Sequence, residues 1–342
     1  MPRDLRGLPK GHLHLHLELG MRPATLEDLC ARHALPMPPV RGFTGFAGFG
    51  AVVEGVLAAL RTAEDFERVV REAVADQAAD GVTYFEPSFW PYRYLEHFAT
   101  AEELWAVVLA AGEAAGAEHG VTVRWMAAVD RVLDAPEQAV EIAQLAVRRH
   151  PDGIVSLGLH NDEVGHPPER FVDAFRVATD GGLLSTPHAG ELEGPASVRG
   201  ALGPLGAHRI QHGIRAIEDP EVVAELVARG TCLDVCPTSN VALSVVPSLA
   251  VHPLPALLEA DVRCSINADD PLVFGPGCLE EYQLCRDELG LTDEQLAACA
   301  WSSVDCGAAP DGVKVAAKAG IDSWLAAPEE PISTHERWVS RP

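Results

Sequence analysis

The chain repeats one pattern from end to end: a short apolar or β-branched segment that closes on polar, Gly or Pro residues, followed by a stretch long enough for a helix. Eight such segments stand out: His12 to Leu19 (HLHLHLEL), Gly81 to Phe89 (GVTYFEPSF), Thr122 to Asp130 (TVRWMAAVD), Ile154 to His160 (IVSLGLH), Leu183 to Glu191 (LLSTPHAGE), Arg209 to Gly213 (RIQHG), Cys232 to Asn240 (CLDVCPTSN) and Val262 to Asp270 (VRCSINADD). Between them run amphipathic stretches such as AEDFERVVREAVADQAAD and PEQAVEIAQLAVRRH, whose apolar residues recur at three- and four-residue spacing. An eightfold alternation of this kind points to an α/β fold, a closed (β/α)8 TIM barrel rather than a doubly wound sheet. With 342 residues, 47% hydrophobic and 22% charged, the chain has the material for one large core, which excludes disorder and stapled mini-domains. No internal repeat or low-complexity linker divides it, so residues 1–342 read as a single domain.

One connection is longer than a crossover needs. Roughly 60 residues separate Leu19 from Gly81. They imply a helical lid insertion after the first strand, at about 24–65. Within it Phe43, Phe46 and Phe49 recur every third residue, while Gly42, Gly45, Gly48 and Gly50 weaken any helix there, so a partly mobile flap over the barrel mouth is expected. Beyond Asp270, segments such as TDEQLAACA and VKVAAKA indicate a helical extension at about 279–327, before a polar tail from Pro328.

Charge narrows the partners. Fifty acidic residues against 26 basic ones give a formal charge of −24, and only Lys10, Lys314 and Lys318 are lysines. Such a surface repels polyphosphate, so neither nucleic acid nor an anionic membrane is an expected partner. No window approaches about 20 uninterrupted apolar residues, and the N-terminus lacks a signal-peptide core, so the expected location is cytoplasmic. The eight cysteines read as reduced core thiols, and Cys232 and Cys236 lack the CxxC step of a zinc ribbon.

In a barrel, strand C-termini face the mouth, where active sites lie. In the first segment His12, His14, His16 and Glu18 alternate with leucines and share one face of an extended strand. His12 and His16 would lie about 13 Å apart, too far to bind one ion through bonds of about 2.1 Å, so one adjacent pair ligates, and His14 with His16 is nearer the mouth. Three successive buried imidazoles without a metal or an acid would cost several kcal/mol. The fifth segment ends in His188 and Glu191, the sixth in His212, and the eighth in Asp269 and Asp270. Each alone has an ordinary explanation, such as a satisfied core histidine or a helix cap. Together, four strands turn polar at the same end with the residue types of a catalytic metal site, and three histidines and one aspartate leave room for a water on zinc.

The motifs LPKGHLHLHLELGMRPATL, TPHAGELEGPASVRGAL, RIQHGIRAIEDPEVV, VCPTSNVAL and INADDPLVFG resemble, in order and spacing, the adenosine deaminase family of metal-dependent amidohydrolases. The resemblance extends from Leu8 to about Tyr282. It implies a (β/α)8 barrel, one zinc (Zn2+) per chain, and hydrolytic removal of a purine 6-amino group as ammonia. It also implies His14, His16, His188 and Asp269 as metal ligands, Glu191 as the acid that protonates the ring nitrogen, and His212 as the base for the attacking water. Asp270 would hydrogen-bond the imidazole side of the purine, and Glu18 would face the sugar or base. Apart from the family, attack at an aromatic C–NH2 carbon breaks ring conjugation, so an acid at the adjacent nitrogen must neutralise the charge as it forms. Asp269 and His212 are suited to handle the water.

Three departures bear on the substrate. Leu19 stands where the family usually has glycine, His160-Asn161-Asp162-Glu163 shortens the usual fourth-strand ending, and Pro187 precedes His188. The leading expectation is an adenine nucleoside. A modified nucleoside such as 6-aminodeoxyfutalosine, free adenine, and a catalytically dead ligand-binding barrel stand as alternatives. A binuclear hydrolase is disfavoured because all three lysines lie outside the expected strands. Oligomeric state leaves no trace in the sequence.

Overall fold

A computed structural model describes residues 3–327, and the tail from Pro328 lies outside them. Ten short strands appear in chain order: β1 (Lys10–His12), β2 (Val82–Phe85), β3 (Ser88–Phe89), β4 (Thr122–Val123), β5 (Trp125–Asp130), β6 (Ile154–His160), β7 (Leu184–Ala189), β8 (Arg209–His212), β9 (Cys232–Val235) and β10 (Cys264–Ile266). All pair in parallel, as two arcs ordered β1-β2-β4 and β10-β9-β8-β7-β6-β5-β3. Pro87, which has no N–H to give a ladder, lies between β2 and β3, and Arg124 lies between β4 and β5. Each pair is therefore one barrel strand written in two pieces, and eight strands result. Isolated bridges from Leu15 to Asp269 and from His16 to Ser88 close the ring. The fold is thus the (β/α)8 barrel that the alternation implies.

The first expected strand is the largest correction. Its ladder ends at His12, and residues 17–20 form a 3-10 helix in which Leu19 and Gly20 both donate to the His16 carbonyl. The Asn267 side chain takes over the ladder's role beyond His12, its Oδ1 accepting from the Leu13 and His14 amides at 2.8 and 3.2 Å. Glu18 therefore sits on that helix and not on a strand face shared with the histidines. Likewise the segment Cys232 to Asn240 is strand only to Val235, because Pro237 opens a helix at Pro237–Ala242. Lys10, expected outside the strands, is the first residue of β1. Its buried Nζ donates to the Leu5 and Asp80 carbonyls at the barrel's far end from the mouth.

The long insertion carries helices at Pro23–Arg32 and Gly45–Leu57, followed by Ala63–Ala79. Despite its glycines, Gly45–Leu57 is a regular 13-residue helix. Packing outweighs propensity there: Phe49 is buried and stacks on Phe274 with ring centroids 5.4 Å apart, and a Cβ at Gly55 would lie 2.7 Å from Pro38 Cβ. The C-terminal extension forms helices Cys278–Asp287, Asp293–Asp305 and Asp311–Ala326. The second presses so closely on β1 that a Cβ at Gly11 would come 2.3 Å from the Ser303 carbonyl oxygen.

The barrel interior beneath the mouth is charged. Arg209 on β8 is fully buried, with Nη2 2.7 Å from Glu86 Oε1 and Nε 3.0 Å from Asp234 Oδ2. Tyr84 and Ser156 hydroxyls complete the Glu86 carboxylate at 2.6 and 2.7 Å, and Ser265 Oγ does the same for Asp234 at 2.7 Å. Burying three charges is tolerable only because every one is matched. Arg209→Ala, which leaves two buried carboxylates without their cation, should lower the unfolding free energy by roughly 3–5 kcal/mol in urea denaturation. A loss below about 1 kcal/mol would contradict this account of the interior.

Candidate active site

The eight residues singled out from the sequence come together at the carboxy-terminal rim. Six strand ends and the 3-10 helix surround one cavity, whose lining includes His16, Glu18, His188, Glu191, His212, Asp269 and Asp270, with His14 buried at its floor. The helix Gly45–Leu57 roofs it with Phe46, Phe49, Gly50, Val53 and Leu57, and Leu19 and Leu243 add to this apolar side. His12, the histidine left out by the reach argument, is a structural residue. Its Nδ1 meets Gln77 Oε1 at 2.8 Å, and its Nε2 accepts from the Ala268 amide at 3.0 Å.

Donor atoms crowd around one point. His14 Nε2 lies 3.2 Å from His188 Nε2 and 3.3 Å from Asp269 Oδ1, and His16 Nε2 lies 3.5 Å from the same oxygen. Bonds of about 2.1 Å at tetrahedral angles would separate ligand atoms by about 3.4 Å, which is the spacing seen. His14 Nδ1 faces the Asp234 carbonyl at 3.0 Å, so it holds the proton there and leaves Nε2 bare. Asp269 Oδ1 is buried and accepts no hydrogen bond, while its Oδ2 accepts from Ser239 Oγ at 2.6 Å. The imidazole nitrogens of His14, His16 and His188 and an unpartnered carboxylate oxygen, gathered at this spacing, fit a divalent cation. His14, His188, His212 and Asp269 have donor atoms all within 4.8 Å of one another, and His16, Asp269 and Asp270 form an overlapping set.

His212 stands on the other side of Asp269. Its Nε2 is 3.7 Å from Asp269 Oδ2 and 3.4 Å from Glu191 Oε1. His212 and Asp269 both have positive φ, 61° and 60°, a costly conformation for residues other than glycine and one that collects at functional sites. Burial pushes the Glu191 carboxyl well above its ordinary pKa, and the nearby Asp269 and Glu163 charges add to the effect, so the protonated form is favoured there. Burial likewise raises Asp270, reinforced by Asp269 and Glu191, and lifts Glu18 to about 7. Glu18 accepts from the Tyr94 hydroxyl at 3.1 Å.

The most important residue that sequence reasoning missed is Glu163. Its carboxylate receives the Gly190 amide at 2.8 Å, those of Glu191, Leu192 and Glu193 at 2.9, 2.6 and 3.0 Å, and the Ser197 hydroxyl at 2.7 Å. The turn that aims Glu191 is therefore wrapped around one buried anion. Only the shortening of the fourth-strand ending marked that stretch in the sequence, with nothing to tie it to residues 190–193. Asn240, inside the VCPTSN motif, and His252 were also passed over.

A barrel with such a donor set at its carboxy-terminal rim and a buried carboxyl of raised pKa beside it is the architecture of an aminohydrolase. The chain matches the adenosine deaminase family over residues 9–324, and it belongs to that family. It is 40% identical over 340 residues to a Streptomyces coelicolor protein with the provisional name adenosine/adenine deaminase, covering 95% of this chain and 99% of that one. An aminodeoxyfutalosine deaminase of the same organism is 36% identical, across 96% of this chain and 88% of its own. Among solved structures, the adenine deaminase of Arthrobacter aurescens superposes with a TM-score of 0.88 at 30% identity, covering 93% and 99% of the two chains. The protein is a hydrolytic deaminase. No helix among the described residues is long and apolar enough to cross a membrane.

Glu163→Gln puts an amide NH2 where an acceptor is needed, which leaves at least one or two of five donors unmatched. At about 1–3 kcal/mol for each buried unsatisfied group, stability should fall by roughly 2–4 kcal/mol. Amides 190–193 should lose hydrogen-exchange protection ahead of the rest of the barrel, and unchanged protection there would refute the anchoring role.

Proposed function

We propose that the protein is a zinc-dependent deaminase that converts the 6-amino group of an adenine nucleoside to a 6-oxo group with release of ammonia. The observation that carries this reading is the unpartnered Asp269 Oδ1, faced by two imidazole nitrogens at 3.3 and 3.5 Å, with the buried Glu191 carboxyl 3.4 Å from His212 Nε2. His14, His16, His188 and Asp269 would hold one zinc. The assignment of His16 in preference to His212 rests on which carboxylate oxygen each faces: His14 and His16 approach Oδ1, and His212 approaches Oδ2. Zinc bound there supplies a water whose pKa falls towards about 7.

The chain's own groups account for the rest. Water adds to the carbon bearing the amino group, one of its protons passing to the His212–Asp269 pair. Glu191 gives its proton to the adjacent ring nitrogen, so the electrons displaced from the ring C=N end as an N–H and not as an anion. The amino nitrogen takes the first proton and leaves as ammonia. The remaining hydroxyl proton restores the Glu191 carboxyl as the C=O forms. Asp270 and Glu18, both raised and both lining the cavity, are hydrogen-bond donors to acceptor atoms of the substrate.

Free adenine is the second reading, and the roof favours it. Phe46, Phe49, Val53, Leu57, Leu19 and Leu243 turn apolar surface to the cavity. Asp130, on the same rim, is already engaged, accepting from Asn161 Nδ2 and the Val132 and Leu133 amides. The names of the relatives span both substrates, and a third, aminodeoxyfutalosine.

Ammonia release from adenosine, adenine and 6-aminodeoxyfutalosine at equal enzyme, followed at the purine absorbance change, separates the three. Turnover of adenosine above the other two is expected, and inactivity towards all three with zinc present would remove the proposal. Glu191→Gln should lose about 10²–10⁴ in kcat while keeping its zinc. Chelation should abolish turnover and added zinc restore it, whereas His16→Ala should lower the zinc content itself.

A further inference from the structure

Behind His212, away from the cavity, two buried side chains carry a line of hydrogen bonds from it to a main-chain amide. The Leu254 N–H donates to His252 Nδ1 at 3.1 Å. His252 Nε2 meets Asn240 Oδ1 at 3.1 Å, and Asn240 Nδ2 meets His212 Nδ1 at 3.1 Å. His252 is 5% exposed, Asn240 0% and His212 1%, so water does not compete for these partners.

The amide fixes the polarity of the whole line. A backbone N–H can only donate, so His252 Nδ1 must be bare, and a neutral imidazole bare at Nδ1 carries its proton on Nε2. That proton needs an acceptor, which orients Asn240 with its oxygen towards His252. The Asn240 NH2 is then directed at His212 Nδ1, which must accept. His212 is left with its proton on Nε2, the nitrogen facing Glu191 and Asp269. Asn240 is itself held in place: its amide donates to the Cys236 carbonyl, and its own carbonyl accepts from the Val245 and Val246 amides.

We propose that Asn240 and His252 are positioning residues that lock His212 in the Nε2–H tautomer, making it a hydrogen-bond donor to the attacking water and leaving Asp269 as the group that accepts the proton. Its catalytic meaning rests on the deaminase reading, but the tautomer does not. The water O–H bond breaks towards an Asp269 oxygen, and the oxygen bonds to the ring carbon. His212 keeps its proton and donates a hydrogen bond to that oxygen throughout. The family resemblance gives His212 the base's part; an imidazole already protonated on its site-facing nitrogen has no lone pair there with which to play it.

The test reads the tautomer directly. Long-range 15N–1H correlation spectra of the full-length labelled protein, without zinc or substrate, distinguish a protonated from a bare ring nitrogen, and His212→Gln assigns the signal. A bare His212 Nδ1 and protonated Nε2 are expected, and the reverse would overturn the proposal whatever the enzyme's activity. Asn240→Asp replaces the donor with an acceptor of the same shape and should move the proton to Nδ1. His252→Phe frees Asn240 to turn and should give a mixture of both tautomers. A wrong tautomer in a serine protease triad costs about 10⁴ in kcat. Asn240→Asp should therefore lose at least about tenfold in kcat, with KM within about twofold, and a merely structural role would not move the two apart in this way. A moved proton with kcat unchanged would refute the catalytic part. A wild-type chain with the expected tautomer but no deaminase activity would refute the function and leave the lock standing.

Discussion

Asp269 is where the fold and the chemistry become the same constraint. Its amide donates to the His14 carbonyl at 3.0 Å and its carbonyl accepts from His16 at 3.3 Å, and these bonds join the last strand's end to the first and close the ring. The residue between those bonds points its carboxylate into the mouth, with one oxygen towards His14 and His16 and the other towards Ser239 and His212. Its backbone lies in the left-handed region, with φ 60°, and the bonds that close the barrel hold it there. The arrangement explains why the two histidine-bearing residues need not lie in a regular strand: they are aligned by hydrogen bonds to Asp269 and Asn267.

Beneath this rim the interior gives the donors a rigid floor. Asp234 links the two levels, since its carboxylate pairs with Arg209 and its carbonyl fixes the tautomer of His14. Glu163 does for the Glu191 turn what Asp234 does for His14, and the Leu254 amide does the same for His212 through two side chains. His14, the Glu191 turn and His212 thus each have their orientation fixed by a partner outside the cavity, the arrangement that preorganised sites require.

Much of this was legible in the sequence, and what was not has a physical reason. The eightfold alternation announces the barrel because strand and helix periods differ along the chain, and the polar ends of four segments announce the rim. The extent of the first strand was not legible, because HLHLHLEL keeps a period of two whether its partner is a backbone ladder or the side chain of Asn267, some 250 residues away. The helix at Gly45–Leu57 was obscured by its glycines, whose cost is local, while the Phe49–Phe274 stack and the Pro38 contact that offset it are not. Glu163, Asn240 and His252 were hidden for a related reason. A carboxylate that gathers four amides, or an amide that reads the polarity of a main-chain N–H, has no spacing of its own and appears only when distant segments meet.

The acidity of the mouth follows from the same geometry. Glu18, Glu191, Asp269 and Asp270 share one buried space, and no cationic side chain among its lining residues neutralises them. Like charges so close cannot all ionise, and burial adds to the penalty. Asp269 escapes because the imidazoles beside it, His14 first among them, outweigh burial and hold its pKa far down, so negative charge is favoured at the point where the donor atoms could hold a cation. The other three are driven upward, which favours their protonated forms. A purine ring offers lone pairs along its edge, so a ring of neutral acids around one anion suits it where a ring of carboxylates would repel it. The lowered carboxyl of Asp269 and the raised ones of Glu191, Asp270 and Glu18 are therefore consequences of one distribution of charge, in which negative charge is favoured on a single oxygen pair and disfavoured on the acids around it.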